Sequence, residues 1–91
     1  MRIDWDEEKA AANRTKHGIS FNEAATVFGD PLGWTYPDSD HSESERRWIT
    51  IGASEAGRIL VIAHTGEGER VIRIISARRA TKKERRFYEE G

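Results

Sequence analysis

One short stretch near the middle of the chain limits what it can fold into. Residues 59–63 read Ile-Leu-Val-Ile-Ala, an apolar run with no polar residue inside it. Such a run, rich in β-branched side chains, is typical of a central strand that is covered on both faces. With 91 residues, of which 36% are hydrophobic, the chain can build only one core around that strand. We therefore expect a single domain, residues 1–91, organised around a β-sheet.

Three segments carry helix signals. Aspartates at positions 4 and 6 can each cap a first helix, which Gly18 ends because glycine readily adopts the left-handed stop conformation. The sequence Ser20–Glu23 fits a capping box and predicts a second helix through Phe28. A further capping box at Thr81–Glu84 predicts a C-terminal helix.

The rest of the chain reads as strands and turns. A polar loop separates a weak early strand from three stronger ones, and an edge strand is plausible at the N-terminus. In chain order these segments are Met1–Trp5, Pro31–Tyr36, the loop Pro37–Glu45, Trp48–Ala53, Ile59–Ala63 and Val71–Ala77. The expected fold class is α+β, with two N-terminal helices on one side of an antiparallel sheet of about four strands, and a closing helix. The second face of such a sheet can remain open to solvent.

Composition excludes several classes of function. The chain has no cysteine, which excludes disulfides, a thiol nucleophile and cysteine-ligated zinc. No apolar run approaches the ~20 residues of a membrane helix, and the first four residues do not resemble a signal peptide. The absence of cysteine suits a reducing cytosol, and we expect no contact with a membrane. The net charge of −1 hides an asymmetry, because residues 1–45 carry four bases and ten acids whereas residues 46–91 carry eleven bases and six acids. A charge pattern of this kind suits a phosphate ligand on one face and a basic partner on another.

The last strand places arginine where a phosphate could be bound. Because side chains alternate along a strand, Ile72 and Ile74 predict the helix-covered face, and Arg73 then points to the open face. If the pleat continues unbroken, Arg79 shares that face. A planar guanidinium donates two parallel hydrogen bonds and stays charged, as phosphate recognition requires. The alternative is a structural ion pair between Arg73 and a carboxylate such as Glu43 or Glu45.

Cleavage of RNA by its own 2′-OH needs a base, an acid and a cation beside the phosphate. Several arginines are available as the cation, and His64 follows the central strand, close to the turn that faces Arg73. His41 lies in the acidic loop, and with its neighbours it superficially resembles a metal cluster, but the spacing matches no calcium or zinc pattern. We therefore predict no metal and no cofactor. The tryptophans, at positions 5, 34 and 48, suit a core better than a base-stacking surface.

Several stretches of the chain resemble the BrnT toxins, the ribonuclease half of BrnT–BrnA type II toxin–antitoxin pairs. The matching residues run in the same order through nearly the whole sequence. They are Ile3–Glu7, Asn13, Lys16–Gly18, Phe21, Asp40–Ser42, Arg47–Trp48, Arg73–Ala80, Glu84 and Tyr88. The resemblance implies a RelE-like fold and a bacterial endoribonuclease that cleaves mRNA and arrests translation and growth.

The resemblance also implies a partner and a set of site residues. The partner is a BrnA-like antitoxin whose DNA-binding domain represses the shared operon, usually in a toxin–antitoxin heterotetramer, so that operator DNA is contacted only through the antitoxin. Residues matching the family are Lys16, His17, Arg73, Arg78 and Arg79. We predict Arg73, Arg79 and His64 as catalytic, and Lys16, His17, Arg78 and Arg46 as substrate-binding. The rival hypothesis is a non-catalytic binding module that acts as a co-repressor in a DNA-bound complex.

Overall fold

A computed structural model describes residues 1–41 and 45–91 of the protein. Its elements are short helices and the strands of a single sheet. In chain order they are β1 (Arg2–Trp5), α1 (Glu7–His17), α2 (Phe21–Thr26), a 3₁₀ turn (Val27–Gly29), β2 (Trp34–Pro37), a second 3₁₀ turn (Ser39–His41), β3 (Trp48–Ala53), β4 (Ile59–Thr65), β5 (Val71–Arg79) and α3 (Lys82–Glu90). The α+β class and the three helices expected from the sequence are confirmed.

Local signals place the starts of the three helices, and the end of α1, where the sequence predicted them. Helix α2 ends at Thr26 rather than at Phe28, because the chain tightens there into the 3₁₀ turn. Asp6 caps α1 by accepting hydrogen bonds from the next turn, and Gly18 ends it with φ at 70°. Ser20 caps α2 through the backbone N–H of Glu23. Thr81 opens α3 with a complete capping box, since Glu84 also accepts a hydrogen bond from the Thr81 backbone.

The sheet has five strands in the order β1-β5-β4-β3-β2, rather than about four. The N-terminal segment forms a true edge strand, and it pairs parallel to β5, so the sheet is not wholly antiparallel. The other three pairings are antiparallel, and β4, with the apolar run, is the central strand. The long connection from β1 to β5 passes through every other element except α3, which is why the parallel pairing has no short-range sequence signal.

Helices α1 and α2 cover one face of the sheet, called here the helix face. The core on this face combines side chains of the α1–α2 connection and α2 with inward-pointing residues of β4 and β5. Its buried members are Ile19, Phe21, Ala24, Val27, Leu60, Ile62, Ile74 and Ala77. Trp5 packs edge-on against Phe21, with ring centroids 5.9 Å apart. The expected pair of N-terminal helices on one side is therefore correct.

Helix α3 does not join the other two helices, as a one-sided layout would require. It lies across the opposite face of the sheet, called here the open face, at the end formed by β2 and β3. Phe87 of α3 meets Trp34 of β2, with ring centroids 5.6 Å apart. Beneath it, Ile51 and Val61 point to the open face yet are only 1% and 6% exposed. The open face is thus open only over β5, β4 and the start of β3.

His64 lies within the helix-face core and not at its edge. Its side chain has no exposed surface, its Nε2 is 2.7 Å from the hydroxyl of Thr50, and that hydroxyl is 2.8 Å from the hydroxyl of Thr35. Phe28 packs edge-on against the imidazole at 4.9 Å. Burial disfavours the charged ring and lowers the pKa of His64 to about 4. The neutral imidazole is therefore a structural part of the core.

The buried imidazole predicts a loss of stability in mild acid. The folded pKa lies below the ordinary value of 6.5, so the unfolded chain takes up the proton first. Stability contributed by neutral His64 is complete above pH 6.5 and falls towards pH 4. Between pH 7 and 5 the free energy of unfolding should drop by about 2 kcal/mol. Urea unfolding should show this slope in the wild type and little of it in His64→Gln.

That pH window separates His64 from the carboxylates. Glu23, Asp30 and Glu84 all have pKa values below their ordinary ones, so the stability they contribute is lost only at lower pH. An equal slope in wild type and His64→Gln between pH 7 and 5 would show that another group is responsible.

Candidate functional site

A β-bulge in β5 decides which arginines reach the open face. His64 of β4 lies opposite Ile74, but Ala63 lies opposite Ser76, so Ile75 is an extra residue. A bulge of this kind re-aims the side chains that follow it. Arg73 faces Thr65 and Arg78 faces Val61, both on the open face.

The bulge corrects the prediction made for Arg79. An unbroken pleat would put Arg79 beside Arg73, but Arg79 lies opposite Leu60, a core residue of the helix face. Its charge there helps to lower the pKa of Glu23, whose largest stabilising partner is Arg58. The predicted position of Arg79 on the open face is wrong, because alternation fails at the extra residue.

A cleft of about 370 Å³ occupies the uncovered part of the open face. Its lining brings together cations from a helix, a loop and a strand, above a floor of small and apolar side chains. The lining residues are Lys9, His41, Glu45, Arg47, Thr65, Arg73 and Ile75. Three cations and two proton-exchanging side chains around one cavity make this the candidate site.

Arg73 stands at the β1 side of the cleft and is half exposed. Its Nη1 donates to Asp4 at 3.3 Å, from the neighbouring strand β1. The ion pair weighed as the alternative for Arg73 therefore exists, but with Asp4. Glu45 lines the same cleft, and Glu43 lies outside the described residues. A solvent-exposed pair contributes little to stability, and one bond leaves most of the guanidinium donors facing the cleft.

His41 contributes an oriented imidazole. Its Nδ1 lies 3.1 and 3.2 Å from the two carboxylate oxygens of Asp38, and the side chain is 65% exposed. A carboxylate on one ring nitrogen fixes the orientation of the ring and leaves Nε2 for another partner. The sequence showed only a histidine in an acidic loop. The i, i+3 spacing from Asp38 was the signal for this pair.

Arg78 lies on the open face as well, but its fork is occupied. Two parallel hydrogen bonds of 2.7 and 2.8 Å join it to Glu84 of α3. The Arg78 guanidinium lowers the pKa of Glu84 to about 2, and in return Glu84 raises the pKa of Arg78. Tyr36 borders this pair, and burial together with the Glu84 charge raises its pKa. Arg78 therefore attaches α3 to the sheet next to the cleft.

His64 does not face Arg73, contrary to the sequence prediction. It lies opposite Ile74 on the helix face and is fully buried, whereas Arg73 belongs to the other face. The prediction placed His64 correctly at the end of the central strand. It failed because position along a strand does not reveal which side of the sheet a terminal residue occupies.

The remaining predicted residues do not line the cleft. Lys16 and His17 lie in the last turn of α1, about 10 Å along the helix from Lys9. Arg46 stacks over Trp48 at 5.1 Å from the ring centroid, and Trp48 lies opposite the buried His64. By alternation, Arg47 then faces the open side.

Two cleft residues escaped the sequence reasoning for different reasons. Arg47 directly precedes Trp48, so alternation along the strand could have predicted that the two side chains point to opposite faces. Lys9 had none, because it sits among strong helix formers in the first turn of α1. Only the packing of α1 beside β5 brings that lysine to the cleft.

Across residues 1–41 and 45–91, no three histidine, aspartate or glutamate side chains come together as a metal site would need. None of the helices in those ranges has the length and apolar character to cross a membrane.

Comparison with known proteins identifies the family. Residues 5–84 match the family model for the ribonuclease toxin BrnT of type II toxin–antitoxin systems. Among solved structures, the crystal structure of the Brucella abortus ribonuclease toxin BrnT, at 1.1 Å resolution, superimposes with a TM-score of 0.68. The two are 25% identical, over 90% of this chain and 99% of that one. A search of curated proteins found no match. Because the family model spans most of the sequence, this chain belongs to the BrnT family of ribonuclease toxins of type II toxin–antitoxin systems.

Proposed function

We propose that this chain is a metal-independent endoribonuclease that cleaves mRNA at the open face of the sheet and thereby arrests translation and growth. The observation that carries the proposal is the cleft, where Lys9, Arg47 and Arg73 converge beside His41. Three positive charges around one cavity suit a ligand whose every unit carries a negative phosphate. We also propose that this chain has a RelE-like fold.

Cleavage proceeds by attack of the ribose 2′-OH on the adjacent phosphorus. The new bond joins O2′ to phosphorus, the bond from phosphorus to O5′ breaks, and a 2′,3′-cyclic phosphate and a 5′-OH are released. One group takes the 2′ proton and another protonates O5′. Charge builds up on the non-bridging oxygens, where Arg73 and Arg47 stabilise it with donors that are already in place.

His41 and Glu45 are the proposed proton-exchanging pair. Both line the cleft, and Asp38 holds the His41 ring from its Nδ1 side. A histidine oriented by a carboxylate is suited to exchange a proton at its other nitrogen. His64 and Arg79 have no part in this scheme because both lie on the helix face.

Arg73→Ala should reduce RNA cleavage on the order of 10²–10³-fold, the usual loss when a fixed donor to developing charge is removed. Arg73→Lys should recover only part of the activity, because lysine keeps the charge but not the fork. Rates on a defined single-stranded RNA, and growth arrest after induction in bacteria, measure the effect.

Asp4→Asn is the matched control, since it removes the ion pair while leaving Arg73 in place. Both variants should melt within a few degrees of the wild type, because the pair is exposed. If Arg73 serves only the pair, the two variants will lose activity equally, and only in proportion to any loss of folded protein. A stable Arg73→Ala protein with wild-type activity would refute the assignment.

The cations of the cleft also predict the cofactor requirement and the products. Cleavage should continue at an unchanged rate in EDTA, since arginine and lysine supply the positive charge that a metal supplies elsewhere. The products should carry 2′,3′-cyclic or 3′-phosphate ends, which end-specific labelling and mass spectrometry will distinguish from 3′-OH ends. Strict dependence on added magnesium would contradict this mechanism.

A type II toxin has a protein antitoxin as its partner. We propose a BrnA-like, DNA-binding antitoxin that binds this chain in a cytoplasmic heterotetramer and carries it to operator DNA. The surface of helix α3 suits a partner with apolar and acidic side chains. Phe87 is 50% exposed among basic residues, and it contacts the exposed Trp34. Half-exposed aromatic rings with a basic border are typical of an interaction surface.

The antitoxin should protect residues of α3 and β5 in amide hydrogen exchange and raise the melting temperature of the toxin. Phe87→Ser should weaken binding of the antitoxin. Lys9→Ala, in the cleft, should lower the rate of RNA cleavage more than it weakens antitoxin binding. Protection confined to residues 1–45 would contradict this placement.

Growth unaffected by induction of the chain alone would favour the rival function, a co-repressor without catalysis.

A further inference from the structure

Tyr36, on β2, differs from the other aromatic residues in its contacts. Each of the others meets a second ring, an arginine or a carboxylate. These contacts are Trp5–Phe21, Phe28–His64, Trp34–Phe87, Arg46–Trp48 and Tyr88–Asp30. Among the residues that the structure describes, Tyr36 has no ring partner and no hydrogen bond, and it is 42% exposed. Its ring therefore keeps a surface that a flat ligand can cover.

The register of the sheet places Tyr36 directly beside the cleft. The N–H of Asp38 donates to the carbonyl of Arg47, a cleft residue, at 2.9 Å. Two residues further along each strand, Tyr36 lies opposite Ile49. Residues two apart on a strand share a face and lie roughly 6.6 Å from each other. Tyr36 and Ile49 therefore form the next row of the open face after Arg47.

An apolar strip continues from Tyr36 across the sheet. Ile49 lies opposite Ala63 of β4, and both residues are partly exposed. The following pair, Ile51 and Val61, is buried beneath α3. The strip of Tyr36, Ile49 and Ala63 thus lies between the cations of the cleft and helix α3.

An RNA phosphate held in the cleft brings a base to this strip. A single ribose separates each phosphate of RNA from the nearest base, and unpaired bases stack on aromatic side chains. In the proposed mechanism His41 exchanges a proton with a ribose oxygen. Asp38, which holds His41, is two residues from Tyr36. The base on that ribose therefore lies towards Tyr36.

We propose that Tyr36 stacks on a nucleobase next to the scissile phosphate, with Ile49 and Ala63 as the floor of a base subsite. The subsite rests on the RNA cleavage proposed above. Stacking uses the face of a base rather than its hydrogen-bonding edge, so the subsite accepts every base. A base paired within a double helix cannot reach it, and single-stranded RNA is therefore the substrate.

The test combines a protein variant with substrate variants. A short single-stranded RNA with one cleavage site is compared with two forms that each lack one base beside the scissile phosphate but keep the 2′-OH. Tyr36→Ala should lower kcat/KM for the intact RNA on the order of 10-fold, as the loss of a stacking ring does. Removal of one of these bases should cost the wild type a similar factor. In Tyr36→Ala the same removal should have little further effect.

Two control variants separate stacking from other roles of this residue. Tyr36→Phe keeps the ring, so it should retain most of kcat/KM and the sensitivity to base removal. Thr35→Ala changes the neighbouring side chain, which is bonded to Thr50 on the helix face, and it should also keep that sensitivity. Both Tyr36 variants should melt within a few degrees of the wild type, because the side chain is half exposed.

A folded Tyr36→Ala protein that loses the same factor on intact and base-lacking RNA overturns the proposal, because the ring then acts only through the structure. Unchanged cleavage of intact RNA overturns it too, as does a Tyr36→Phe protein as impaired as Tyr36→Ala. RNA with a 2′-deoxy residue at the cleavage site, which lacks the attacking hydroxyl, repeats the comparison with binding constants. If the wild type binds this RNA but cleaves none, the proposed function is refuted, while the binding constants still report on Tyr36. Absence of binding refutes both.

Discussion

The pairing of β4 with β5 through a single bulge is the constraint on which the rest of the structure depends. It lets β5 keep both Ile74 and Ala77 in the core, although two residues lie between them and regular alternation would place them on opposite faces. The strand can therefore bury a continuous apolar face and still present Arg73 and Arg78 on the other. Arg73 lines the cleft, and Arg78 anchors α3 beside it.

The two faces of the sheet differ in their electrostatics as a result. On the helix face, His64 is neutral and bonded to Thr50, and Asn13 bonds the edge of β5, so these two buried side chains are satisfied without charge. On the open face, charged groups meet in exposed or half-exposed pairs. Such pairs cost little to separate. The pair of Arg73 with Asp4 can therefore open without unfolding the sheet.

The charge asymmetry of the sequence resolves into contacts between the two halves. Acids of the first half hold arginines of the second, as in the pairs Asp4–Arg73 and Glu23–Arg58. The asymmetry is therefore used in part in contacts that join the two halves of the chain. The cations around the cleft come from both halves as well.

Local signals in the sequence determined the elements of this protein. The caps at Asp6, Ser20 and Thr81 and the apolar run in β4 act within a few residues, so their outcome can be predicted without knowing the rest of the chain. The family resemblance was equally accessible, because it rests on short matching segments.

Tertiary structure alone decided the composition of the site. Which face Arg79 occupies depends on the bulge, the burial of His64 depends on Phe28 and Thr50, and Lys9 reaches the cleft only through the packing of α1 beside β5. Each of these outcomes is set by contacts between residues far apart in the chain. Alternation along a strand cannot anticipate an extra residue, and the side chain that bonds the buried edge of β5 at Ala77 is Asn13, 64 positions away.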